Sequence, residues 1–256
     1  MSTPRERATE WRHGYHAAVC SRVEPWAHGT LVRAPDVPTY YDYNLVRLEG
    51  PDPGLDAEAL AAAAEPVLAG LAHRRIEVED LAAGERLRPG FEAMGWVTKR
   101  LAFLHRPLPG PEVPVPPGAE LRVDAFEASR PLRHAWQGES IWGDPPDFVL
   151  IEESVAARHG TRSVIGSVAG EPAGFAAFST AGDAVEVELV FCLPERRGGG
   201  LGGSLVARAL AEAEAGGARQ ALIEADDEGH AKRLYERLGF RTVWRRLSFT
   251  RKPEDR

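Results

Sequence analysis

From residue 119 onward the apolar positions change period often enough to spell out a succession of elements. Residues 120–125 (ELRVDA) alternate as a half-buried strand does, while 128–137 and 147–158 repeat their apolar side chains at helical spacing. Three strand-like runs follow at 162–168, 173–179 and 185–192, parted by GEP and AGD turns. A glycine cluster then opens a long helical stretch, LGGSLVARALAEAEAGG, which Gly216 and Gly217 are placed to cap. A strand (RQALIEA), a helix (AKRLYERLG) and a final strand (RTVWRRLSFT) complete the order β-α-α-β-β-β-α-β-α-β. That order predicts an α/β fold of the mixed-sheet, α+β kind.

Residues 107–118, PLPGPEVPVPPG, hold six prolines in twelve positions. Such a run supplies neither ladder donors nor helix interiors, so it reads as a semi-rigid extended linker. It divides the chain into a front part, 1–106, and a back part, 119–256. The front part echoes the back. Phe91, Gly95 and Trp96 stand 144 positions before Tyr235, Gly239 and Phe240, and Leu101, Phe103 and Pro107 stand 146 before Leu247, Phe249 and Pro253. Asn44 falls opposite Glu188 at the first of these offsets, and an Ala-rich helix at 56–70 falls opposite the helix after Gly200. An internal duplication is expected.

Composition narrows the function classes. At 256 residues with 43% apolar content, the chain can bury a sizeable core. No run approaches the roughly 20 apolar residues of a membrane span, and the charged start MSTPRERATEWRHG lacks a signal peptide's apolar segment. A cytoplasmic protein without membrane association is expected. Cys20 and Cys192 lie far apart with no C-x-x-C partner, so neither a disulfide framework nor a zinc knuckle is indicated. The net charge of -7 argues against nucleic acid as a partner.

The chemistry concentrates in ELVFCLPERRGGGLGGSLV, 188–206. A strand, a glycine turn and a helix aim backbone N–H groups and the positive helix end at one point, which suits a pyrophosphate. The pattern G-x-x-x-x-G-K-[ST] fails, because Ser204 stands where lysine is required. The dinucleotide pattern G-x-G-x-x-G fits Gly198, Gly200 and Gly203, yet PERR separates these glycines from the strand. A third pattern, R-x-x-G-x-G, fits Arg197, Gly200 and Gly202 after Pro194.

This third pattern resembles the coenzyme-A loop of the GNAT superfamily of acyl-CoA-dependent N-acyltransferases. A-x-x-L-Y-x-x-L-G-F, residues 231–240, resembles the family's penultimate helix and its exit into a strand. The resemblance covers about 119–251 and implies the GNAT fold for the back part, preceded by a smaller, degenerate GNAT-like domain. It implies acetyl-CoA as cosubstrate, with Arg197, Gly198, Gly199, Gly200, Leu201, Gly202, Gly203 and Ser204 around its pyrophosphate. Phe191, Cys192 and Leu193 would pair with the pantetheine arm as an added strand does, and the Cys192 amide would polarise the thioester carbonyl. Tyr235 would protonate the departing thiolate. No metal is implied.

Attack on a thioester needs a neutral amine, and an amine of pKa near 10.4 is neutral in about one molecule in 2,500 at pH 7, a handicap of roughly 4.6 kcal/mol. A carboxylate base would offset it. Glu188 is the first candidate, because ELVFC resembles the segment bearing the catalytic glutamate of the histone-acetyltransferase branch; Glu224 on the next strand is its rival. Period-two alternation would place Glu186, Glu188, Val190 and Cys192 on one strand face. Glu228 stands where the family often has a cofactor-holding asparagine, and Cys192 where valine is more usual.

The front part carries Asn44 for Glu188, PDPGLD for the glycine turn and Phe91 for the tyrosine, so it is expected not to bind CoA. Trp26, Tyr40, Tyr41 and Tyr43 are expected in its core or as walls of an acceptor pocket. His13 and His16 share a helix face without evident metal company. The activity expected is N-acetylation of a small-molecule or peptide amine through a ternary complex. The alternative is a non-catalytic acyl-CoA sensor. A homodimer is compatible with the chain.

Overall fold

The structure is a computed structural model describing residues 3–140, 145 and 147–253. Its chain forms two compact units that interleave in sequence. The front unit comprises residues up to Ala102, Asp226–Glu228 and the chain from Trp244 onward; the back unit comprises Phe103–Ala225 and Gly229–Val243.

In the front unit α1 (Pro4–Val19) starts at a capping box, in which the Thr3 hydroxyl accepts from the Glu6 amide while the Glu6 carboxylate accepts from the Thr3 amide. Strands β1 (Arg22–Trp26), β2 (Gly29–Arg33) and β3 (Asn44–Leu48) form an antiparallel meander. Then come α2 (Ala57–Ala64), β4 (Arg74–Val78) parallel to β3, α3 (Leu81–Ala93) and β5 (Val97–Pro107), which crosses into the back unit. The last strand of the chain, β11 (Arg241–Arg251), pairs antiparallel with β4 through Leu247–Arg251. Leu247 and Phe249 complete the core that Leu60, Ile76, Leu87 and Phe91 begin. The Phe91 and Phe249 rings stack at 4.1 Å. Gly84 admits this strand, because a β-carbon there would stand 2.8 Å from Leu247 Cδ1.

The back unit opens with β6 (Ala119–Ala125), α4 (Arg130–Gln137) and α5 (Phe148–His159). Buried Arg133 joins the two helices, donating to the Val149 carbonyl at 2.9 Å and pairing with Glu152 and Glu153. Next are β7 (Arg162–Val168), β8 (Glu171–Ala181), β9 (Ala184–Cys192), α6 (Leu201–Ala215), β10 (Gln220–Asp226) and α7 (Ala231–Arg237). Strand order is β10-β9-β8-β7-β6, antiparallel except for β10 on β9. One face carries the cluster of Phe126, Leu132, Ala156, Ile165, Phe175, Ala177 and Phe191. On the same sheet, α6 settles at Gly166, where a β-carbon would lie 3.0 Å from Leu201 Cδ1.

The expected elements are present, and the succession β-β-β-α-β-α-β occurs twice, as β1 to β5 and as β7 to β11. Beyond Pro107 the proline run forms neither helix nor strand, and it is packed. Ser204 Oγ donates to the Pro114 carbonyl at 3.0 Å, and a β-carbon at Gly203 would meet Val113 Cγ1 at 3.6 Å. Among the described residues no helix is long and apolar enough to cross a membrane.

Candidate functional site

The back unit's site begins where a ladder stops. The parallel pairs of β9 and β10 run from Ala184↔Gln220 to Val187↔Ile223, although β9 continues to Cys192 and β10 to Asp226. Beyond that last pair the two strands part. Glu188 and Glu224, the rival bases, are the first residues past it, one on each strand. Both are half-buried, and Glu188 Oε1 accepts from the Thr161 hydroxyl at 3.2 Å.

Glu188 is also the residue at which the expected alternation fails. Leu189 pairs with Ala177 and Val187 with Phe178, so Glu188 is an extra residue in a β-bulge. The bulge shifts the pleat by one position. Leu189 shares the Ala177 face, Val190 and Cys192 take the opposite one, and Glu186 no longer lies on their side.

The Leu193 amide donates to Ala173 on β8 at 3.0 Å. In an antiparallel ladder this turns the amides of Val190 and Cys192 the other way, toward the gap, and those of Phe191 and Leu193 toward β8. Phe191 and Leu193, expected from the sequence to pair with the pantetheine arm, thus spend their amides on β8, whereas Cys192 and its neighbour Val190 turn theirs away from it.

The turn beyond β9 is exposed from Arg197 to Gly200. Gly198 and Gly200 have φ of +80° and +91°, conformations open to glycine without strain. Gly200 caps α6, and a helix's first amides have no intrahelical acceptor. Gly203 and Ser204 donate to the Gly200 carbonyl at 3.0 and 3.2 Å, so the turn's own hydrogen bonds engage the amides of Gly203 and Ser204. The Ser204 hydroxyl, buried and bound to Pro114, is a packing group. Arg197 lies over the Phe191 ring, donates from Nε to the Cys192 carbonyl at 2.9 Å and pairs with Glu139 at 2.7 Å.

Cys192 and Tyr235 lie near enough for their charges to interact. A β-carbon at Gly202 would stand 3.4 Å from Leu234 Cδ2 and 3.8 Å from Cys192 Sγ, so α6, α7 and the end of β9 converge there. Burial pushes the Tyr235 phenol up to about 12, with the nearby Cys192 adding to the shift. Burial likewise pushes the Cys192 thiol up to about 11, against the pull of Arg197. Both are protonated at neutral pH, so Tyr235 can donate a proton and Cys192 is a poor nucleophile.

Glu228 is committed elsewhere: both its carboxylate oxygens accept from Arg88 at 2.9 Å, and that contact holds its carboxyl below the usual range. No motif signals Arg88, Glu139 or Thr161 as partners, because each is remote in sequence from the residue it holds.

The front unit differs at every corresponding point. Its parallel ladder runs to Leu48↔Val78, the final residues of β3 and β4, so no gap opens. Asn44 binds Ala34, Val37 and Tyr40 and shapes a loop. Asp56 caps α2 where an anion would sit, and Asp52 pairs with Arg86. Tyr43 is buried, Tyr41 packs on His73 at 4.2 Å, and Trp26 packs on His28 and the core.

Residues 122–240 match a family described as "Acetyltransferase (GNAT) family". This segment, under half of the chain, is similar to that family. A mycothiol acetyltransferase of Thermobispora bispora is 32% identical over 193 residues, 64% of this chain and 60% of that protein. The match thus spans less than two thirds of the relative's length. Two solved structures share the fold along nearly the whole chain. A GCN5-related N-acetyltransferase from Kribbella flavida has a TM-score of 0.66 at 21% identity, covering 100% of this chain and 98% of its own. A conserved protein of unknown function from Staphylococcus epidermidis has 0.69 at 12%, covering 92% and 95%. The gap, the glycine turn and Tyr235 all lie inside the segment matched to GNAT.

Proposed function

We propose that this chain is a GNAT acetyltransferase that moves an acetyl group from acetyl-CoA to an amine by direct attack, with a degenerate GNAT-like front domain (1–106) joined through 107–118 to a catalytic domain (119–256) whose last strand completes the front core. The observation that carries this reading is the early end of the β9–β10 ladder beside a glycine turn. Amides of Val190 and Cys192 there would serve the acylated pantetheine arm, one pairing with the arm and the other with its thioester oxygen, and those of Gly199 to Gly202 would pair with the diphosphate.

The residues divide the work. Glu188, or Glu224 across the gap, takes the proton from the attacking ammonium, directly or through water. The Cys192 amide donates to the oxygen that gains charge as the C–N bond forms. Tyr235 delivers its proton to the sulfur as the C–S bond breaks. The acceptor is a primary amine of a small molecule or peptide, and the site of action is the cytoplasm. The likeness to a mycothiol acetyltransferase supports acetyl transfer as the reaction.

Release of free thiol from acetyl-CoA across a panel of amines tests this. A rate at least tenfold above hydrolysis for one acceptor class is expected. Slow release that no amine accelerates would favour a non-catalytic acyl-CoA sensor instead.

A further inference from the structure

In the front unit, Glu49 and Glu79 directly follow the last rung of the β3–β4 ladder, Leu48↔Val78. The Glu79 amide donates to the Leu48 carbonyl at 3.2 Å, so the two carboxylate-bearing residues leave adjacent parallel strands side by side. Like charges facing each other across a ladder are unfavourable unless something neutralises them. His13 arrives from α1, its Nε2 2.7 Å from Glu79 Oε1. One ligand atom from each of the three residues lies within 4.8 Å of the others.

This place is the counterpart of the glycine turn in the back unit: the carboxyl end of a parallel strand pair, where open α/β sheets hold ligands. The chemistry is reversed. The back unit offers amides to an anion, whereas the front unit offers an imidazole and two carboxylates. We propose that His13, Glu49 and Glu79 bind one divalent transition-metal cation of the zinc class.

Three features fit. Mixed nitrogen and oxygen donors suit zinc and its neighbours. Metal bonds of about 2.1 Å place tetrahedral ligand atoms about 3.4 Å apart, so the His13–Glu79 contact need open by only about 0.7 Å. Ligating carboxylates are usually held by a further hydrogen bond, and Arg47 Nε donates to Glu49 Oε1 at 2.7 Å while its Nη1 donates to His16 Nδ1 at 2.8 Å. The side chains of His13, Glu49 and Glu79 are 32%, 28% and 15% exposed, so a cation can enter and keep a water ligand. A bound cation would tie α1 to the strand ends. The sequence hid this site because Glu49 and Glu79 lie far from His13 along the chain.

The test is zinc titration of the full chain, stripped with a chelator, in competition with a chromophoric zinc indicator. One equivalent is expected, weakened at least tenfold by both His13→Ala and Glu49→Gln, with a rise in Tm on zinc addition in wild type only. Glu49→Gln preserves shape, so it keeps the test valid if loss of His13 unfolds α1. Cobalt loaded in place of zinc should show visible d–d absorption that Glu49→Gln removes. Failure of wild type to bind zinc, or equal binding by wild type and both variants, would reduce the cluster to an ion pair and overturn the proposal. The result is independent of acetyl-CoA binding in the back unit.

Discussion

Val187 and Ile223 form the last rung between β9 and β10, and Glu188 and Glu224 are the first residues to stand apart. The equivalent pair in the front unit, Leu48 and Val78, closes its ladder at the strand ends. One sheet architecture therefore occurs in an open and a sealed form within one chain.

Gly200→Val tests the turn beyond the open rung. Gly200 has φ of +91°, and a β-carbon there finds only Pro116 Cγ, at 3.9 Å. The substitution thus acts through backbone strain rather than a clash, roughly 1–2 kcal/mol for a non-glycine residue in a left-handed conformation. Calorimetry should show CoA affinity reduced at least tenfold, with the fold retained by circular dichroism.

Much of this was legible in the chain. The order of elements, the glycine turn and the Ala231–Phe240 helix follow from period, glycine placement and a known likeness. Neither the bulge at Glu188 nor the part of β11 that joins the front unit was visible. A bulge depends on how two strands pair, and ELVFC reads as smooth alternation. The destination of Leu247–Arg251 depends on a core completed by residues some 160 positions away, where Phe91 and Gly84 await Phe249 and Leu247. Proline composition excluded helix and ladder from the run after Pro107 but did not show its seat on α6, which rests on the Ser204 to Pro114 bond.

Tyr235→Phe should lower kcat tenfold or more while leaving CoA affinity within twofold. Because the buried phenol titrates at about 12, wild-type kcat should show no loss from Tyr235 ionisation up to pH 10. Cys192→Ala should retain kcat within about threefold. With its thiol pushed up to about 11, Cys192 should react slowly with iodoacetamide at pH 8, followed by mass spectrometry.

Glu77 is the anionic centre of the front unit. Burial would raise its pKa, but Arg12, Arg246 and Arg75 hold it well below the carboxylate range. Arg12 Nη2 lies 2.9 Å from it, and Arg246 pairs with it while fully buried. Glu77→Gln removes the buried charge these three cations share, with Asp42 still pairing with Arg12 and Arg75, so urea unfolding should show a loss of about 3 kcal/mol.

His73 makes the protein acid-sensitive. Burial pushes its pKa down to about 4, against the hydrogen bond its Nε2 makes to the Asn44 carbonyl at 2.9 Å. The unfolded chain takes up a proton near pH 6.5 and the folded chain only near 4, so stability is full above pH 6.5 and falls between those values. The full effect is on the order of 3 kcal/mol. His73→Asn should flatten that part of the stability curve by about one proton.

A crystal of the full chain soaked with CoA tests the central claim most directly. The account predicts the diphosphate on the amides of Gly199 to Gly202 and the pantetheine arm between β9 and β10, hydrogen-bonded to Val190 and Cys192. Density for CoA at any other place, or an empty gap at saturating CoA, would contradict it.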